Sequence, residues 1–272
     1  MKTLHLMIVK AVGILLLLST SCQAPQDELA DLPQLERRQE IFVYQGTSFP
    51  ITFERIAAEW QPIEDAFFQQ LAPVFDLPTL HTVVSTEDER TFLYDNQEQH
   101  IQELIDAAPE AEPVLRAQSD ILNLYRSGMQ GEELAANIRE IRLTYRLKEE
   151  SNTRCQNSYA DFYSNKKKGG SRMRMDGSLS TGEEEDLSQV SRGSGNWNDV
   201  ISSIYVKNPN ASSCGGRFTS AVYEDKDFKG KSMSMIVYPG KDLYIKNLKF
   251  KFIIWPFKSW NDRISSISNT EW

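Results

Sequence analysis

Histidine and cysteine are scarce in this chain, three of each in 272 residues. His5 lies in the apolar N-terminal segment, and neither His81 nor His100 has a cysteine or second histidine at ligand spacing. A zinc site is therefore not expected. A G-x-S-x-G nucleophile turn, a phosphate-cradling glycine loop and an H-E-x-x-H pair are also missing, so the chain does not read as an enzyme. Positive charge is in deficit: the formal net charge is −8 and the sequence pI about 5.1. That balance argues against a nucleic-acid partner and suits cations. No run approaches the roughly 20 apolar residues that a transmembrane helix requires.

What is present begins at the N-terminus. Lys2 and Lys10 flank apolar residues, and AVGILLLL leads into STSC, the pattern of an export signal. LLSTSC resembles the lipobox of bacterial lipoproteins, in which the cysteine, here Cys22, becomes the acylated mature N-terminus. An ordinary signal peptide cut nearby is the alternative. The resemblance implies a signal over residues 1–22 and a polar tether over 23–47. It also implies attachment in a bacterial cell envelope, at the outer membrane or cell surface, or else secretion. With Cys22 so used, Cys155 and Cys214 remain. An oxidising compartment permits a disulfide between them, two unpaired buried thiols being the alternative.

Composition changes near residue 150. In GEELAANIREIRLTYRLKEE, Leu134, Ile138, Ile141 and Tyr145 share one helical face while Glu132, Arg139 and Arg146 turn outward. DILNLY predicts another helix ended by SGMQG, and ERIAAEWQPIEDAFFQQLAPVF one or two more around Pro62. LHTVVS and TFLY could form a small hairpin. Residues 48–150 thus read as a mainly helical domain. Beyond Asn152 the period falls to two: Leu248, Phe250, Phe252 and Ile254 alternate with lysines, and Met233, Met235 and Val237 with serines. ISSIYV and RFTSAVYE add short strands, so residues 153–272 read as an antiparallel sheet domain.

One word is written twice in that second half, WNDVISSI from Trp197 and WNDRISSI from Trp260. YEDKDFKGKS precedes the second copy, with Tyr223, Phe228, Gly230 and Ser232. FYSNKKKGGS precedes the first, with Phe162, Gly169 and Ser171 at the same spacing and Lys167 in place of Phe228. Tyr223, Gly230, Ser232 and NDRISS together resemble the βγ-crystallin Greek-key motif. The resemblance covers about residues 153–272, with motif one at about 155–208 and motif two at about 215–270. It implies an α+β multidomain chain whose C-terminal part is a β-sandwich of two Greek-key motifs.

Calcium takes roughly six to eight oxygen ligands, more than one Asn-Asp-x-x-Ser-Ser loop can supply. The family solves this by closing each loop on the opposite hairpin, giving two Ca2+ sites. The resemblance implies one site from Asn198, Asp199 and Ser202, completed by the carbonyl of Glu224 beside Tyr223. It implies a second from Asn261, Asp262 and Ser265, completed near Phe162 or Tyr163. Ser203 and Ser266 are expected to hydrogen-bond the folded hairpins. Arg263 would repel an ion if it pointed inward, so modest affinity is expected. A plain turn before a strand would use the same residues.

Other features read more simply. Glu183-Glu184-Glu185-Asp186 reads as a solvated loop and NKKKGGSRMRM as a solvated basic hairpin. Trp197 and Trp260, at matched repeat positions, read as core, while Trp255 and Trp272 could stack on sugar. The chain therefore reads as an exported calcium-binding protein whose ions stabilise the domain or display a surface. A calcium-independent interaction module is the alternative: an adhesin, a glycan binder or an inhibitor of a secreted enzyme.

Overall fold

The structure is a computed structural model that describes residues 36–56, 59–147, 158–177, 183–184, 186–210, 216–248, 252–254 and 258–272. The signal segment, the tether before Glu36, Cys22, Cys155, Cys214 and Trp255 lie outside the described residues. Residues Arg37–Trp272 form one compact unit.

Its first strands are β1 (Arg37–Tyr44), β2 (Thr47–Ile56) and β3 (Glu59–Pro62), an antiparallel meander. This corrects the expectation of helix from Glu54 to Trp60. Phe49, Ile51 and Phe53 alternate along β2, and this period of two prevails over the helix-forming alanines that follow. Helix α1 (Ala66–Phe75) starts where Asp65 accepts the Phe68 amide at 2.9 Å. It packs Phe68, Leu71, Val74 and Phe75 on Phe42, Phe49, Ile51 and Phe53. The expected hairpin is present as β4 (His81–Ser85) and β5 (Thr91–Tyr94). Helix α2 (Gln97–Ala107), capped by Asn96, a 3₁₀ turn at Pro109–Ala111, α3 (Glu112–Arg126) and α4 (Gly131–Thr144) follow. The segment from 48 to 150 thus carries the expected helices together with the strands β2 to β5.

The repeated half supplies β6 (Tyr159–Asn165), β7 (Gly169–Asp176), β8 (Glu183–Glu184) and β9 (Ser203–Lys207) from its first copy. The second copy gives β10 (Phe218–Tyr223), β11 (Ser232–Val237), β12 (Asp242–Ile245) and β15 (Ser266–Glu271). Between the last two, β13 (Phe252–Ile254) pairs with β14 (Lys258–Ser259). The third strand of each copy crosses to the other copy's sheet: one sheet runs β12-β9-β6-β7, and β8 pairs with β15 beside β10 and β11. Phe162, Ile204 and Val206 from one sheet meet Phe218, Val222, Met233, Met235 and Ile267 from the other, with Trp197 and Trp260 buried among them.

The second sheet does not stop at β11. That strand pairs in parallel with β4, Ser232 opposite His81, giving the nine-stranded order β3-β2-β1-β5-β4-β11-β10-β15-β8. Residues on both sides of position 150 therefore share one hydrogen-bonded sheet. β11 is buried on both faces, where alternating half-burial was expected. Its methionines join the core shared by the two sheets, and its serines meet the added segment: Ser232 Oγ lies 2.7 Å from His81 Nδ1. Glu183 lies under α3, 3.3 Å from Gln118 Nε2, and Asp186 pairs with Lys226 at 2.7 Å, so these two carboxylates are partnered, not freely solvated.

Candidate functional site

Both NDxISS loops fold alike, and each leans on the other. Asp199 and Asp262 each have φ of 55°, a left-handed conformation that Asp tolerates better than most residues. That twist turns each aspartate across the pseudo-twofold axis. The Asp199 amide donates to the Ile264 carbonyl at 3.2 Å, and the Asp262 amide to Ile201 at 3.1 Å. In the next turn the Ser202 amide donates to Tyr163 O at 2.9 Å and the Ser265 amide to Tyr223 O at 3.0 Å.

The serines bind the opposite loop's carboxylate. Ser202 Oγ donates to Asp262 Oδ1 at 3.0 Å, and Ser265 holds down the Asp199 carboxyl by the matching bond. The structure therefore groups Asp262 and Ser202 with the Tyr163 hairpin, and Asp199 and Ser265 with the Tyr223–Glu224 hairpin. This differs from the expected grouping, which kept the Asp and Ser of one word together. The left-handed aspartate backbone is the reason, because it sends the carboxylate across while the serine, three residues on, stays with the near hairpin.

Asn198 and Asn261 donate Nδ2 to the carboxylates that follow them, those of Asp199 and Asp262. Their Oδ1 atoms are buried and accept no hydrogen bond. Flipping either amide would set oxygen against a carboxylate oxygen, so the orientation is fixed by charge. Burial pushes the Asp199 carboxyl above its ordinary range, although Arg263, Asn198 and Ser265 oppose the shift. Arg263 Nη1 lies 3.6 Å from Glu224 Oε1. A cation is thus already beside the Asp199 group, while the corresponding spacer in the other loop is Val200.

The sixth-position serines pin the hairpins. Ser203 Oγ donates to Asn165 O at 2.7 Å and accepts from the Lys168 amide, while Ser266 Oγ donates to Asp225 O at 2.6 Å and accepts from Phe228. These bonds set the register of the two copies: Tyr163 matches Tyr223, Lys168 matches Phe228, and Gly170 (φ 75°) matches Gly230 (φ 73°). The sequence alignment through Phe162, Lys167 and Gly169 is one residue out. The Gly169-Gly170 pair hides the shift, because either glycine satisfies the spacing.

Among the described residues no three His, Cys, Asp or Glu side chains gather as a metal cluster, and no helix is long and apolar enough to cross a membrane. The donors here are of another kind, two carboxylates, two amide oxygens, two hydroxyls and turn carbonyls, an all-oxygen set that fits a hard cation such as calcium. The buried chain of Ser232, His81 and His100 carried no sequence signal. His81 Nε2 lies 2.9 Å from His100 Nδ1, and burial holds both rings neutral.

No family profile matches the sequence, and no curated protein matches it. Similar solved structures include a beta gamma crystallin from Ciona intestinalis, at 21% identity, covering 40% of this chain and 96% of that one. Another is IPSE/alpha-1 from Schistosoma mansoni eggs, at 17% identity, covering 42% and 86%. Each overlaps with a TM-score of 0.26.

Proposed function

We propose that the chain is an exported calcium-binding protein whose repeated half is a βγ-crystallin-like double Greek key holding up to two Ca2+ ions. The exchange of carboxylate and hydroxyl between the loops carries this reading, with the unpartnered Asn198 and Asn261 oxygens at its centre. A buried acceptor without a donor costs about 1–3 kcal/mol, and a bound cation would offset that cost. Asp262, Ser202 and Asn261, with the Tyr163 hairpin, would hold one ion. Asp199, Ser265 and Asn198, with the Glu224 hairpin, would hold the other. Arg263 makes the second site the weaker, because its charge competes with the ion for Glu224 and Asp199.

Calcium that binds only the folded chain adds about 2.7 kcal/mol at a hundredfold excess over its dissociation constant. Calorimetric titration of the full chain with calcium tests the reading. Two events of unequal affinity are expected: Asp262→Ala and Ser202→Ala remove the tighter, Asp199→Ala and Ser265→Ala the weaker. Absence of heat and of any calcium-dependent rise in Tm would sink the proposal. Loss by loop instead of by crossed pair would restore the word-by-word grouping. Acyl attachment at Cys22 belongs to the same reading, and labelled palmitate incorporation that survives Cys22→Ala would remove it.

A further inference from the structure

A cleft of about 440 Å3 opens beside the turn of the second hairpin. Its walls are the N-terminus of α2, the C-terminal half of α3 and the turn Phe228–Gly230. Arg126, Asn123, Gln97, Asn96, Ser119 and Lys229 line it.

Arg126 is half-buried, and its three hydrogen bonds go to neutral acceptors: Phe228 O at 2.9 Å, Gln97 Oε1 at 2.7 Å and Asn123 Oδ1 at 3.2 Å. No carboxylate among the described residues forms an ion pair with it. The guanidinium is held rigidly by these bonds and keeps two of its five N–H donors. The acidic group in the wall, Glu98, is already taken by Arg116 at 2.8 Å and Ser119 at 2.8 Å. Lys229 contributes a second positive charge, shared with Asp227 at 3.2 Å, and the α2 N-terminus adds its partial positive charge. A fixed, part-desolvated guanidinium facing neutral acceptors leaves a charge that an anion completes.

We propose that this cleft binds a small polyhydroxylated carboxylate, of the size and chemistry of a uronic acid. The carboxylate meets Arg126, whose planar fork matches it. Its hydroxyls meet the amides and hydroxyls of Asn96, Asn123 and Ser119. The volume falls in the usual range of small-molecule sites and exceeds the needs of an inorganic oxyanion.

The test is calorimetric titration of the full chain with glucuronate, glucose and inorganic phosphate, run in EDTA so that the result is independent of the calcium reading. Glucuronate is expected to bind at least tenfold tighter than glucose or phosphate. Arg126→Gln should weaken it at least tenfold while the chain still unfolds in one cooperative transition. Asn123→Trp, which fills the cleft from an exposed helix position and leaves Arg126 its bonds to Phe228 and Gln97, should abolish it. No glucuronate heat, equal binding of glucose, tighter binding of phosphate, or indifference to both substitutions would each overturn the proposal.

Discussion

Glu183 and the pair His81–His100 act on stability in opposite directions as pH changes. Burial raises the Glu183 carboxyl to about 7, so the folded chain keeps its proton. The stability this contributes is present below about pH 4.5 and is lost as pH rises through 7, on the order of 1–3 kcal/mol. Burial lowers both histidines, His100 to about 3, and Arg126 adds to the cost of charging His81. Tyr94 and Ser232 are their other close neighbours and bring no negative charge to neutralise a protonated ring. Their contribution is present above about pH 6.5 and is lost as pH falls through that value. Between pH 4.5 and 6.5 the two histidines outweigh the single carboxyl, so urea midpoints should fall on the acid side of about pH 6.5 and level off above pH 7, and Glu183→Gln should raise that plateau. A flat profile from pH 5 to 8, or a loss of stability in Glu183→Gln at pH 8, would contradict this. Neither group was legible in the sequence. Glu183 stands in an acidic run that reads as solvated, and the nonlocal approach of α3 and α4, through Gln118, Tyr125 and Arg142, covers it.

At the level of elements, the repeated word was legible and its partner hairpin only partly so. Asn, Asp and paired serines at fixed offsets name a turn chemistry that local sequence can reveal. Which glycine closes the first hairpin depends on Ser203, which reaches it from another strand. The hairpin glycines test that register directly. Gly170 and Gly230 have positive φ, and a Cβ would lie 2.3 Å from Ser164 Oγ at the first and 2.6 Å from Asp225 Oδ2 at the second. Gly169 has no such φ, and its Cβ would meet Lys166 O at 3.1 Å. Alanine at Gly170 or Gly230 should cost about 1–2 kcal/mol, and at Gly169 clearly less. Chemical denaturation ranks the three, and a larger loss at Gly169 than at Gly170 would favour the alignment through Phe162. The strands Thr47–Ile56 and Glu59–Pro62 are hidden in the sequence for a different reason. Ala57 and Ala58 favour helix, yet Phe49, Ile51 and Phe53 find their cover only when α1 folds back on β2.

For the whole molecule, the added layer sets what the proposed calcium sites would stabilise. β4 lies along β11 from His81 to Ser85, so the edge of the repeated half is paired and not free. Leu122 and Tyr125 of α3 cover Ala221, Tyr223 and Phe228, and Trp272 packs on the cluster of Ile101, Ile105 and Leu115. Residues 153–272 alone would expose that outer face together with the β11 edge, a combination that favours aggregation. Tyr223 and Phe228 belong to the same hairpin as Glu224, so loosening the outer cover would also loosen the Asp199–Ser265 group. The fragment is therefore expected to be insoluble or to lack the weaker calcium event. Residues 36–272 should melt in one calorimetric transition that calcium moves as a unit, because the nine-stranded sheet runs through both segments. Two transitions of which calcium shifts only one, or a soluble fragment with both binding events intact, would show that the layer is a separate body leaning on an independent domain.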